Sequence, residues 1–294
     1  MDMNRYFLMV CGLAVSITAA AATHTTPPKK SGAATHIAQP KKSGAATRIA
    51  QPKKSGAAQS SKLSAAQIVE RNVAARGGLQ AWGAVATLTL SGQMEAGGKK
   101  NSELPFVMEM KRPHKSRLEI RFQDQTAVQV YDGTQGWKVR PFLGRNEVEP
   151  FTSDEAKLAA NWAELDGPLV NYASKGTRIK LEGMEAVEGH NAYKLKLTMK
   201  GGAERRVWID ATSFLELKID GDPRKMDGKL HNVAIYCRDY KNENGVTVPH
   251  VLETVVEGVK QSHKMSIKQV AVNRPLADTL FAKPKLTMAA ASGQ

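Results

Sequence analysis

From residue 85 onward, apolar and polar side chains alternate one by one in segment after segment. In Asn191–Lys200, Tyr193, Leu195, Leu197 and Met199 fall on one side of an extended chain, with Lys194, Lys196, Thr198 and Lys200 on the other. A period of two sends successive side chains to opposite faces, so such a segment is a strand with one apolar and one wet, cationic face. The same reading gives strands over 85–94, 104–110, 116–122, 127–131 and 136–140. After Gly176 it gives further strands over 178–182, 192–200, 205–210, 214–219, 231–240, 247–257 and 264–272. Arg112-Pro113-His114-Lys115, Asp132-Gly133-Thr134-Gln135, Gly97-Gly98 and Gly201-Gly202 read as hairpin turns. Sequential strands joined by short turns pair antiparallel, as a meander.

Two helices interrupt the pattern. Ser64 can cap a helix in which Ile68, Val69 and Val73 share a face and which Gly77-Gly78 ends. Thr152 or Ser153, followed by Asp154 and Glu155, signals a second start. Leu158, Trp162 and Leu165 would form its apolar stripe, and Asp166-Gly167-Pro168 would end it ahead of Leu169. Two short helices cannot cover a dozen strands, so the sheet must curl, its concave face partly filled by the 153–172 segment.

Composition changes the picture upstream. Met1–Arg5 and the apolar run Tyr6–Ala22, ending Ala20-Ala21-Ala22, read as a secretory signal peptide over 1–22. An uncleaved anchor is the rival, but the run is shorter than the ~20 residues that span a bilayer comfortably. Cys11 lies inside the apolar run behind Val10, which disfavours lipidation; removal of the leader leaves Cys237 alone, so core burial rather than a disulfide must stabilise the fold. Residues 23–62 repeat KKSGAAT with a period of 12 and predict a disordered, lysine-rich tail. That tail holds eight of the formal +14 charges, so the folded part, expected over 63–286 ahead of a disordered 287–294, is only mildly basic. The charge suits transient contact with an anionic membrane surface; it would also suit nucleic acid, from which the leader takes the protein away.

Chemistry leaves little trace. Of the seven histidines, His231, His250 and His263 lie on different strands without carboxylates at metal-ligand spacing, and neither a nucleophile elbow nor a phosphate loop occurs. No enzyme, metal or cofactor is expected. Binding is favoured instead. The candidate lining of an apolar pocket is Phe106, Met108, Leu118, Ile120, Phe122, Val128, Val130, Leu195, Leu197, Leu215, Leu217, Val233, Ile235, Leu252 and Ile267, with Leu158, Trp162, Leu165 and Leu169 closing it as a lid. Each is equally readable as ordinary core.

Ala75-Arg76-Gly77-Gly78-Leu79-Gln80-Ala81-Trp82 leads into Leu88-Thr89-Leu90-Ser91-Gly92. Tyr131-Asp132-Gly133, Gly136-Trp137, Asp166-Gly167-Pro168-Leu169 and Asn273-Arg274-Pro275-Leu276-Ala277-Asp278-Thr279-Leu280-Phe281 follow in order. Across roughly residues 66–284 this resembles the outer-membrane lipoprotein-sorting proteins related to the periplasmic carriers LolA and LolB. The resemblance implies a mainly β fold with few helices, in which a curved antiparallel sheet of about eleven strands forms an incomplete, half-open β-barrel. It also implies a helical lid over a cavity for acyl chains of a lipoprotein or lipid. The expected protein is a periplasmic, monomeric carrier without cofactor or nucleic acid; the alternative is an envelope sensor or adaptor that binds protein on the same sheet.

Overall fold

The computed structural model describes residues 63–95 and 103–285. The leader, the repeat tail, the Gly97-Gly98 turn and the C-terminal tail lie outside the described residues. Among the described residues the strands are β1 Thr87–Glu95, β2 Glu103–Lys111, β3 Lys115–Phe122, β4 Gln125–Tyr131, β5 Gly136–Arg140 and β6 Arg145–Pro150. They continue as β7 Arg178–Val187, β8 His190–Thr198, β9 Glu204–Asp210, β10 Glu216–Asp220, β11 Arg224–Met226, β12 Lys229–His231, β13 Val233–Glu243, β14 Val246–Val256 and β15 His263–Val272. The helices are α1 Ala65–Ala75, α2 Gly78–Ala84 and α3 Ser153–Trp162.

Thirteen of these strands form one antiparallel sheet in the order β6-β5-β4-β3-β2-β1-β15-β14-β13-β10-β9-β8-β7. The sheet is curved and stays open, with β6 and β7 at its two edges. β11 and β12 pair separately as a small hairpin carrying the exposed Leu230. The sheet has two strands more than the implied eleven; β6, too polar to show alternation, is the one strand of this sheet that the periodicity does not predict.

Both predicted helices form, each with a reciprocal capping box: Ser64 with Gln67 on α1, Thr152 with Glu155 on α3. The Gly77-Gly78 stop ends α1, but the chain restarts at once as α2. Gly77 has φ +110, and a Cβ there would meet the Gly245 carbonyl oxygen at 2.2 Å, so only glycine lets the α1–α2 turn approach the β13–β14 turn. Ile68, Val69 and Val73 of α1 and Trp82 of α2 pack with Leu195 and Leu197 of β8, Val207 and Ile209 of β9, and Leu165, Leu169 and Val170. This is the solid core. It fills the concave face on the β7–β9 side.

Register assigns the faces elsewhere. Leu118 and Ile120 of β3 stand opposite Gln129 and Ala127 of β4, while Arg117 and Glu119 stand opposite Val130 and Val128. Directly opposed residues share a face, so Val128 and Val130 point to the convex side. There Val130 is covered by Leu276 and Phe281 from the C-terminal segment, with Val128 packed alongside. A bulge between Glu216 and Lys218 likewise turns Leu217 outward, onto Val187, Ala192 and Trp208.

Candidate functional site

On the β1–β4 and β13–β15 side the concave face is not filled. A cavity of about 360 Å³ lies there, lined by Leu88 and Leu90 of β1, Met108 and Met110 of β2, Leu118 of β3, Val233, Ile235 and Cys237 of β13, Leu252 of β14, and Met265 and Ile267 of β15. These side chains share one face because the pairs Leu90–Met108, Met108–Leu118, Cys237–Leu252 and Leu252–Met265 are in direct register. Four methionines, Met94 with the three above, and a thiol make the wall soft and adaptable.

Of the residues expected to line a pocket, Met108, Leu118, Val233, Ile235, Leu252 and Ile267 are brought together here. Val130 borders the cavity, yet its side chain belongs to the convex cluster. The others stand elsewhere. Phe106 and Ile120 share the face of Met108 but are consumed in a separate core with Met94 and Leu104, against which Phe122 packs. Leu195 and Leu197 are wholly buried in the solid core. Leu215 lies in the turn ahead of β10, and Leu217 and Val128 face outward.

The lid also differs from its expected stripe. α3 buries Glu155, Ala159 and Ala163, one turn apart, against Tyr131 and Phe151, rather than Leu158 and Trp162. The deciding residue is Glu155, whose carboxylate meets Lys138 of β5 at 2.5 and 2.6 Å; this buried ion pair fixes the rotation of the helix. Trp162 and Leu165 line the cavity, Leu158 is half-buried outside it, and Leu169 joins the solid core. Asn161 and Trp162 are the exposed members of the lining and mark where the cavity reaches solvent.

Polar ties hold the lid at both ends. Trp162 donates from Nε1 to Asp222 at 3.2 Å, Arg205 donates to the other oxygen of Asp222 at 3.1 Å, and the Arg205 guanidinium stands 5.7 Å over the Trp162 ring. Beyond α3, buried Asp166 accepts from Arg112 at 2.9 Å and from Lys175 at 2.5 Å. Burial pushes the Asp166 carboxyl up, but the hydrogen bonds and charges of Lys175 and Arg112 outweigh it and hold the group below the usual carboxylate range.

A second polar group belongs to the cavity wall itself. Arg76, closing α1, sits 3.3 Å from Glu216, and Tyr240 donates to Glu216 at 3.1 Å; all three line the cavity. Arg76 also lies 4.6 Å over the Trp82 ring and donates to the Asp166 carbonyl at 3.1 Å, so the cluster joins the cavity to the solid core and the lid. Burial, then the Glu216 charge, pushes the Tyr240 hydroxyl well above its ordinary value and the Cys237 thiol up to about 12. Sequence reasoning missed this cluster. Its signals were an arginine three residues beyond Val73 on the buried stripe of α1, and an acid inside the apolar run Phe214–Ile219.

The histidines do not converge. His231 faces the Glu257 carbonyl, and buried His250 bonds the Ile267 carbonyl through Nδ1 at 3.0 Å, with its Nε2 standing 3.0 Å from Glu243.

An open antiparallel sheet bent over a lidded cavity can be compared with solved structures. An outer-membrane lipoprotein-sorting protein domain from Vibrio parahaemolyticus is 13% identical with a TM-score of 0.50, covering 74% of this chain and 96% of its own. The chain shares that domain's fold. A DUF1329 family protein from Desulfovibrio piger gives 15% identity and a TM-score of 0.50 over 73% of this chain and 95% of its own. A LolA superfamily protein from Nitrosomonas europaea gives 14% and 0.49 over 76% and 99%. No family model matches the sequence, and no curated protein does. Among the described residues no helix is long and apolar enough to cross a membrane.

Proposed function

We propose that this protein is an exported, periplasmic carrier that shelters acyl chains of a lipid or lipoprotein in the cavity beneath α3. The observation that carries the reading is the cavity itself: about 360 Å³ with an apolar, methionine-rich wall, beneath a lid tied down by the Glu155–Lys138 and Asp166–Arg112 ion pairs and by the Trp162–Asp222 hydrogen bond. An empty apolar space forfeits packing contacts, and a hydrocarbon guest restores them while leaving water at about 0.8 kcal/mol per CH₂. The likeness in fold to a lipoprotein-sorting domain supports the same reading. In it the carrier works as a monomer without cofactor or catalytic step, and the lysine-rich 23–62 repeats touch the anionic envelope surface.

Native mass spectrometry of the full chain purified from cells tests the proposal. A co-purifying lipid or acylated peptide, released on denaturation, is expected. A ligand-free protein that takes up no fatty acid and instead captures a protein partner supports the adaptor reading and overturns the carrier.

A further inference from the structure

The concave face is divided into a filled half and a hollow half. Beneath α1 and α2, Leu195, Leu197, Val207 and Ile209 have no exposed surface, so that side has no room for a guest. The Arg76–Glu216–Tyr240 cluster stands where the halves meet: Arg76 stacks on Trp82 of the filled side, Glu216 is opposite Ile209, and all three line the hollow. The hollow is thus walled at its inner end and open beside Asn161 and Trp162, and its 360 Å³ is near the lower end of the ~300–1,000 Å³ found for pockets holding one drug-sized molecule.

We propose that this hollow takes a single hydrocarbon chain, with the Arg76–Glu216–Tyr240 cluster as its inner stop and the polar head of the ligand emerging beside Asn161 and Trp162. The ligand class is a single-chain amphiphile, such as a fatty acid or lysophospholipid, and lipids carrying two or three acyl chains are excluded. The inference rests on the carrier reading and narrows it. A second chain has nowhere to lie except the filled half. To reach it, it must part a buried ion pair, and stranding such charges lowers affinity by roughly two to four powers of ten. The exit is placed by the lining itself, because Asn161 and Trp162 are its exposed members and polar Asp222 and Arg205 adjoin them.

The test uses the full chain and a fluorescent single-chain fatty acid, displaced by saturated fatty acids of increasing length, a lysophospholipid, a diacyl phospholipid and a triacylated lipopeptide. Affinity is expected to rise about fourfold per added CH₂ to a limiting length and then level off. The lysophospholipid should displace the probe at one equivalent, with the diacyl and triacyl ligands at least tenfold weaker. Met108→Ala, which enlarges the hollow, should move the limiting length upward; an unchanged limit would overturn the assignment of the chain to this space. Diacyl or triacyl ligands that compete as well as single-chain ones sink the inference and leave the carrier reading standing. Absence of saturable binding by every ligand removes the carrier reading and this inference with it.

Discussion

Replacing Glu155 by alanine strands the Lys138 ammonium in the protein interior. The pair is nearly dry, with 7% of the Lys138 side chain and 2% of the Glu155 side chain exposed. Removing one partner of such a pair costs about 3–5 kcal/mol, chiefly from the charge left uncompensated. Glu155 also accepts the Thr152 amide at 2.8 Å in the capping box, and loss of that contact adds about 1 kcal/mol. In a domain of this size each kcal/mol moves the melting temperature by roughly 2–4 °C, so Glu155→Ala should melt about 8–24 °C below the parent. Lys138→Met combined with Glu155→Leu removes both charges and keeps apolar volume against Tyr131 and Ala159, and should recover all but the capping contribution. Urea and thermal unfolding of the parent, the two single variants and the double variant form the required cycle. If Glu155→Ala melts within a few degrees of the parent, or the double variant is as unstable as the sum of the singles, the ion pair does not anchor the lid.

Other outcomes follow from the same geometry. Asp166 titrates below its unfolded value of about 3.9, so its stabilising contribution is present above that pH and lost as the pH falls through the depressed folded value; Asp166→Asn should be less stable than the parent at neutral pH, by about 1–3 kcal/mol, with the gap in urea titrations closing toward acid. Gly77→Ala forces a Cβ against the Gly245 oxygen at φ +110 and should cost about 2 kcal/mol or more, read by the same unfolding assay. Cys237, with its thiol pushed up to about 12 by burial and Glu216, should resist thiol reagents in the native protein and react in denaturant. Trp162→Glu should weaken binding of a fatty-acid probe at least tenfold without changing the far-ultraviolet circular dichroism, since Trp162 lines the cavity opening and is the last residue of α3.

Alternation made the strands legible because each apolar side chain must choose a face, and the choice repeats every second residue. It did not say which strands share a face. Val128 and Val130 look identical in pattern to Leu118 and Ile120, and only the β3–β4 register reveals that Gln129 and Ala127 face inward in their place. A single bulge does the same to Leu217, which the run through Ile219 placed on the wrong side. The α3 stripe misled for an electrostatic reason: the Lys138 pair draws Glu155 inward and rotates Leu158 out of the buried face. Hollow and solid core were indistinguishable in the sequence, since Leu195 and Leu252 have the same chemistry; what separates them is that Leu195 packs in one cluster with Ile68, Val69 and Val73 of α1, whereas Leu252 faces the cavity.

The central claim is that the space between Met108, Leu252 and Ile267 is hollow and open to a guest. A crystal of the protein grown with a terminally brominated fatty acid tests it directly through the anomalous signal of bromine. The account predicts one bromine site inside that wall, short of the Arg76–Glu216 pair. A space closed by the protein's own side chains, with bromine absent or bound on the outer surface, would contradict it.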